Sequence, residues 1–230
     1  MSNQRERPIL FSSPMVRAIL SDAKVQTRRI VKPQPVDYDF GVGEPRFRPA
    51  FTEPDIIPGY KATGIEHEPC YLKKKPFIAG DHLWVREGLH RPDGDPWLYR
   101  ADDLPVMVDK AEETAMLVWA HHKEQNYCPG IHAPRWASRI TLEITGVRIE
   151  RLNCITESDA LAEGIHRFKL PNGNVYGYDP RGTPGKMVMD SATDAYAALW
   201  EKINGAGSWK INPFVWVVSF KRIDAAPNSR

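Results

Sequence analysis

Hydrophobic positions in this chain follow two periods, and the switches between them predict its elements. Ser12, Ser13 and Pro14 open a helical pattern, with serine available as cap and proline in the first turn, and Met15, Val16, Ile19 and Leu20 form its apolar side. The pattern stops near Asp22, a residue that tolerates left-handed backbone, and a strand is predicted near residues 27–31. Lys24 and Thr27 therefore sit at a helix-to-strand corner. Alternation returns at 81–87, where Leu83 and Val85 are set against Trp84 and Arg86, and again at 97–101. Residues 111–125 read as a helix with acidic residues early and His121, His122 and Lys123 late, as the helix dipole prefers.

The segment 139–152 holds two apolar half-periods, Ile140, Leu142 and Ile144, then Val147 and Ile149, with Gly146 at the phase change. That predicts one long strand with a bulge, or two strands meeting at a bend. Thr156 and Asp159 form a capping pair for a short helix with Leu161 expected toward the core and Gly164 as its stop. Residues 192–204 are an amphipathic helix with Tyr196, Leu199, Trp200 and Ile203 on one side and Gly205 as terminator. The closing segment 214–223 is apolar at alternate and intervening positions alike, which predicts a strand covered on both faces.

Between these elements lie stretches rich in proline and glycine. Residues 33–76 carry eight prolines and few periodic apolar positions, and 171–185 is a second such loop. The expected organisation is a single domain over 8–224, with insertions at about 33–78, 103–135 and 166–190 and with 1–7 and 225–230 as flexible termini. The part of the first insertion at 41–66 is a candidate lid over a site, and Lys73, Lys74 and Lys75 read as a solvated, solubilising run.

Composition narrows the classes. A net charge of +2 over 230 residues lacks the basic excess of a dedicated nucleic-acid coat, although it leaves an RNA partner open. Three cysteines, at 70, 128 and 154, form neither a disulfide framework nor a zinc spacing. The adjacent histidines 121 and 122 cannot share one helix face as paired ligands. No metal or other cofactor is expected. With no apolar leader and no run long enough to span a bilayer, a cytoplasmic protein without a membrane partner is expected. The oligomeric state is left open.

Taken one at a time, Lys24 reads as a solvated corner lysine, Thr27 as a strand-start residue and Glu163 as an exposed helix end. Taken together they offer a base, a hydroxyl and a carboxyl acid that only folding can assemble. Arg29 could hold an oxyanion or phosphate, or pair with a core carboxylate such as Glu87, which shares a strand face with Leu83 and Val85 and needs a partner if it points inward. Trp84, Trp97 and Trp136 could stack on a pyrimidine or pack in the core.

These residues resemble a family. Lys24-x-x-Thr27-x-Arg29 after a short helix, Gly80-Asp81 leading a strand, a capped short helix ending at Glu163, and a closing strand through Val217-Val218-Ser219-Phe220-Lys221 are similar to the ASCH domain, a relative of the PUA fold. The resemblance covers 8–32, 79–102, 138–165 and 191–223. It departs from the family at Asp22, where glycine is usual, and the aspartate charge is expected to act on Lys24.

The resemblance implies an α+β fold, a PUA-like β-barrel with flanking helices and long loop insertions. It implies an amidohydrolase that removes the acyl group from N4-acylated cytosine or cytidine, such as N4-acetylcytidine, with Lys24, Thr27 and Glu163 catalytic and with Arg29, Glu87 and Trp84 as substrate-binding candidates. A lysine near its ordinary pKa of about 10.4 is only about one part in 2,500 neutral at pH 7, so burial must lower Lys24 for it to act as base. Glu163, at the negative end of a short helix, is expected to keep a proton to donate. The competing implications are a non-catalytic module that binds RNA or a modified nucleotide, an ASCH protein that acts on RNA as a nuclease, and a phage accessory protein whose loops bind another protein.

Overall fold

A computed structural model describes residues 4–32, 34, 76–92, 96–107, 126–171, 173–178 and 189–223. The fold is α+β, mostly strand with few helices. In chain order the elements are β1 (Glu6–Leu10), α1 (Ser13–Leu20), β2 (Gln26–Ile30), β3 (His82–Arg86), β4 (Leu89–His90), β5 (Leu98–Tyr99), β6 (Tyr127–Cys128), β7 (Thr141–Arg151), α2 (Glu157–Ala162), β8 (His166–Leu170), β9 (Gly173–Gly177), α3 (Ala192–Asn204) and β10 (Phe214–Ile223). The predicted helix at 111–125, the candidate lid at 41–66 and the lysine run at 73–75 lie outside the described residues.

The main sheet has the order β1-β3-β7-β10-β2, with β1 and β3 parallel and every other pair antiparallel. β10 is thus paired on both sides, as its unbroken apolar run predicts. Along it Phe214, Trp216, Val218 and Phe220 face one apolar cluster, shared with Ile9, Phe11, Leu83, Val85, Leu142, Ile144 and Ile149. Val215 and Val217 face the other way, into a second cluster with Ala160 of α2 and Ala195, Tyr196 and Trp200 of α3. The sheet therefore has two covered faces, an inner one packed with α1 through Val16 and Ile19 and one roofed by α2 and α3.

The phase change in β7 is a bulge. Ser219 pairs with Gly146 but Phe220 pairs with Ile144, so Thr145 is the extra residue, and Leu142 and Ile144 before it share the inner face with Val147 and Ile149 after it. The bulge bends β7 while keeping the apolar positions on one side. At the ends of the sheet no ladder joins β1 to β2 among the described residues, but Arg29 Nη2 on β2 donates to the carbonyl of Leu10 on β1 at 2.7 Å. One edge thus reaches the other through a side chain.

Several boundaries differ from the sequence expectation. Glu6 and Arg7 belong to β1, held by pairing with His82 and Leu83, rather than to a terminus. Residues 173–177, expected in a loop, form β9 and pair with β8 in a hairpin. Leu161 is 37% exposed, because the six-residue α2 has a single buried position and Ala160 occupies it. Ile203 is likewise exposed, in the last turn of α3. Trp97 and Trp136 pack with Leu89, Tyr99 and Cys128 in a third cluster beside the small β5-β4-β6 sheet. No helix among the described residues is long and apolar enough to cross a membrane.

Two turns set the corner that carries Lys24. Asp22 takes φ +57°, the left-handed conformation expected of it, and the amides of Ala23 and Lys24 both return to the Ala18 carbonyl. Gly164 follows α2 at φ +94°, where a Cβ would lie 3.1 Å from the Ala18 Cβ and 3.2 Å from the Lys24 Cβ. Gly164→Ala should therefore cost about 2–3 kcal/mol, from backbone strain and crowding together, and lower Tm by roughly 4–10 °C. Gly207→Ala, at φ +80° with open space around it, carries strain alone and should cost less. Calorimetry of the two variants checks this; equal losses would mean that the close approach at Gly164 has no weight.

Candidate active site

The corner after α1 meets the end of α2. Lys24 pairs with Glu163 in an isolated backbone bridge, the amide of Val25 donates to the Ala162 carbonyl, and the amide of Phe220 donates to the Val25 carbonyl. Main-chain bonds from three directions thus fix the Lys24 backbone before any side chain is considered. The capping box of Thr156 and Asp159 fixes where α2 begins, and six residues later the chain arrives at Glu163.

At this junction the Lys24 ammonium donates to Glu163 Oε2 at 2.7 Å and to the Glu163 carbonyl, also at 2.7 Å. Lys24 is 1% exposed and Glu163 4%. The reading of these two residues as solvated surface groups is overturned by that burial. Burial holds the Lys24 ammonium below its ordinary range; Glu163 opposes the shift, and Arg29 and Arg28 reinforce it. The ion pair is therefore one in which the lysine gives up its proton more readily than a lysine in water.

The other carboxylate oxygen, Glu163 Oε1, accepts from Arg28 Nη1 at 3.2 Å. Both oxygens of Glu163 thus face cationic donors.

Strand register places the remaining candidates. Arg28 and Gln26 lie opposite Val217 and Ser219, on the helix-covered face, whereas Thr27 and Arg29 lie opposite Val218 and Trp216, on the inner face. The Lys24 ammonium sits 5.7 Å from the centre of the Phe11 ring, and the Arg29 guanidinium 5.3 Å from it, so both cations border the inner apolar cluster to which the Thr27 face turns. Thr27 is 3% exposed, and among the described residues no hydrogen bond joins its hydroxyl to Lys24 or Glu163. Burial lowers the pKa of Arg29, with Glu163 opposing.

Among the described residues neither Glu87 nor Trp84 is hydrogen-bonded or ion-paired to Lys24, Thr27, Arg29 or Glu163. Glu87 is buried as expected, but both its oxygens are taken by Arg139, at 2.9 and 3.0 Å, and not by Arg29. Arg139 also holds Asp102 and stacks 3.8 Å over Tyr99, so Glu87 belongs to a closed ionic cluster that fastens β3 to the small sheet. Burial raises its pKa against the pull of Arg139, and burial also pushes the Tyr99 phenol up to about 12. Trp84 alternates with Leu83 and Val85, which places it on the outer face of β3, with the guanidinium groups of Arg86 and Arg135 at 4.7 and 5.7 Å from its ring. Asp22 is exposed, and its nearest cation is Arg222 at 3.7 Å; it is not among the charges that shift Lys24.

The sequence reading missed Arg28 and the groups behind it, Glu150, Asp159 and Tyr196. Arg28 Nη2 donates to Glu150 Oε1 at 2.6 Å and lies 3.3 Å from Asp159 Oδ2, and its guanidinium lies 5.8 Å from the Tyr196 ring. The available signal was position: an arginine between Gln26 and Ile30, on the side of β2 that its neighbour strand covers with valines, must find buried carboxylates. Among the described residues no group of three or more His, Cys, Asp or Glu is arranged to hold a metal ion. No family model matches the chain, and no curated protein or solved structure matches it either.

Proposed function

We propose that the chain is an amidohydrolase of N4-acylated cytosine compounds, built on a PUA-like, ASCH-type sheet, with Lys24 as base, Thr27 as nucleophile and Glu163 as the carboxylate that relays the proton. The substrate class follows the ASCH resemblance; the chemistry follows the buried pair. The observation that carries the proposal is the placement of the Lys24 nitrogen. Two of its tetrahedral directions are spent on Glu163 O and Oε2, each at 2.7 Å, and in the neutral amine the remaining one is a lone pair. Burial favours that neutral form. The barrel reading is supported by the Arg29 bond to Leu10, which ties together the two ends of the sheet.

In the first step the Thr27 hydroxyl oxygen bonds to the acyl carbon while its proton passes to Lys24 Nζ. The carbonyl becomes an oxyanion, for which Arg29, on the Thr27 face, is the assigned cation. Collapse breaks the bond from the acyl carbon to N4. The electron pair stays on N4, which takes the proton from the Lys24 ammonium through the Glu163 carboxylate and leaves as the free amino group of cytosine. A water molecule then repeats the sequence on the acyl-threonine, with Lys24 again taking the proton, and releases a carboxylic acid and the threonine hydroxyl. Glu87 and Trp84 have no part in these steps.

Incubation with N4-acetylcytidine should give cytidine, followed by the change in ultraviolet absorbance as the acyl group leaves the pyrimidine. No step calls for a Lewis acid, so EDTA should leave the rate unchanged. Loss of rate in EDTA that zinc restores would replace this mechanism, and tight binding of cytidine nucleosides without turnover would identify a recognition module instead.

Lys24→Ala and Thr27→Ala should each lower kcat at least about a hundredfold, and the double variant should lose little more, because base and nucleophile act as one unit. The acid limb of the pH profile belongs to Lys24. A base works unprotonated, so kcat should rise with pH through the Lys24 pKa, at a pH below the ordinary lysine value because burial lowers it. Near wild-type kcat in either single variant, measured with circular dichroism unchanged, would remove that residue from the mechanism.

A further inference from the structure

Arg28 does more than neutralise a buried carboxylate. Its side chain is inaccessible to solvent, and its two terminal nitrogens serve residues from three parts of the chain. Nη1 donates to Gln26 Oε1 at 2.9 Å and to Glu163 Oε1 at 3.2 Å, while Nη2 donates to Glu150 Oε1 at 2.6 Å and faces Asp159. The two outer carboxylates are themselves anchored. Arg148 donates to Glu150 Oε2 at 3.0 Å and to Asp159 Oδ1 at 2.9 Å, and Asp159 is bound into the capping box of α2. The guanidinium therefore has little freedom, and neither has the Glu163 oxygen that it holds.

We propose that Arg28 is a positioning residue for the Lys24 and Glu163 pair: by holding Oε1 it turns Oε2 toward Lys24, and by sharing the carboxylate it weakens the hold of Glu163 on the Lys24 proton. The proposal rests on the reading of Lys24 as the base. A rigid fork suits the task, since a guanidinium holds Glu163 on one nitrogen and Glu150 on the other at a fixed spacing that a single ammonium nitrogen lacks.

The charged and titratable groups around the pair are Glu163 beyond α2, Asp159 on α2, Glu150 and Arg148 on β7, Tyr196 on α3, and Arg28 and Arg29 on β2. Burial, with Glu163 adding to it, holds the Tyr196 phenol well above its ordinary pKa, so it stays neutral. Arg28 itself is kept charged: burial opposes its charge, but Glu163 and Glu150 outweigh that cost. Removing Arg28 leaves the whole Glu163 charge to Lys24, deletes a repelling cation, and frees Glu150 and Asp159 to act on Lys24 as well. These three changes favour the Lys24 ammonium and are set to outweigh the looser aim of Oε2 once Oε1 is released.

The test follows the Lys24 proton directly. Lysine is labelled with 13C at Cε, the Lys24 resonance is identified as the one absent from Lys24→Met, and wild type, Arg28→Met and Arg28→Lys are titrated. The Lys24 midpoint should rise by about one pH unit in Arg28→Met and by less in Arg28→Lys, which keeps the charge but loses the fork. With N4-acetylcytidine the acid limb of kcat should move alkaline with the midpoint, lowering kcat near neutrality by about tenfold while KM stays within twofold. A folded Arg28→Met whose Lys24 midpoint is unchanged overturns the proposal, even if its kcat is low, because that pattern belongs to a residue needed only for folding. Should Arg28→Met fail to fold, an Arg28→Lys midpoint equal to wild type overturns it equally. A protein inert toward acylcytosines whose Lys24 midpoint nonetheless moves as described would retire the amidohydrolase and leave the Arg28 assignment standing.

Discussion

The arrangement depends on one buried contact, the Lys24 ammonium against both the carboxylate and the carbonyl of Glu163, which joins residues 139 positions apart. Burying two ions costs several kcal/mol apiece, and their mutual attraction repays this only when geometry is excellent and the remaining polar atoms are satisfied. Here the geometry is set by the backbone. The bridge between Lys24 and Glu163, the return of the Ala23 and Lys24 amides to Ala18, and the closeness of Gly164 to Ala18 and Lys24 hold the two segments whether or not the charges attract. The ion pair is thus imposed by the fold and not its cause: the backbone carries Lys24 into the burial that lowers its pKa, against the opposing pull of Glu163.

The location of the pair follows from the sheet having two covered faces. Lys24 approaches Glu163 from the side of Phe11 and the inner cluster, and Arg28 from the side of α2 and α3. Glu163 sits at the seam, one oxygen for each. Around it stand four cations, Lys24, Arg28, Arg29 and Arg148, and three carboxylates, Glu150, Asp159 and Glu163. The fully ionised cluster carries an excess of one positive charge, and loss of the Lys24 proton removes it. A cluster of this composition is neutral when its lysine is neutral, an electrostatic bias in the same direction as desolvation.

Much of this was legible from the residues. The two ends of α3, the strand at 214–223, the phase change at Gly146 and the left-handed Asp22 follow from periodicity and turn chemistry, which act over a few residues and need no knowledge of neighbours. That Lys24 and Glu163 belong together was indicated by a resemblance in spacing, since nothing local marks a lysine as buried. What was not legible depended on partners. Glu87 was recognised as inward, but the choice between Arg29 and Arg139 is made by the order of strands. Nothing local marks Arg28; the register of β2 on β10 puts its side chain under α2 and α3. β1 was missed because residues 6–10, with Pro8 among them, gain their strand character from pairing with β3.

The spacing of Lys24 and Thr27 has a physical reading that the register makes plain. In a regular strand, residues three apart point to opposite faces, so a lysine and a threonine at that interval could not serve one site. β2 begins only at Gln26, and the chain at Lys24 and Val25 is a corner, bonded to Ala162 on one side and Phe220 on the other. At the corner the alternation is reset. The Lys24 side chain reaches the edge of the inner cluster at Phe11, the face onto which Thr27 and Arg29 are turned by their pairing with Val218 and Trp216. Arg28, one residue from each, is carried to the opposite face and meets Glu163 from behind. A bend of two residues thus converts a spacing that would divide these groups into one that gathers Lys24, Thr27 and Arg29 on the inner side. Glu163 lies between them and the arginine that steadies it.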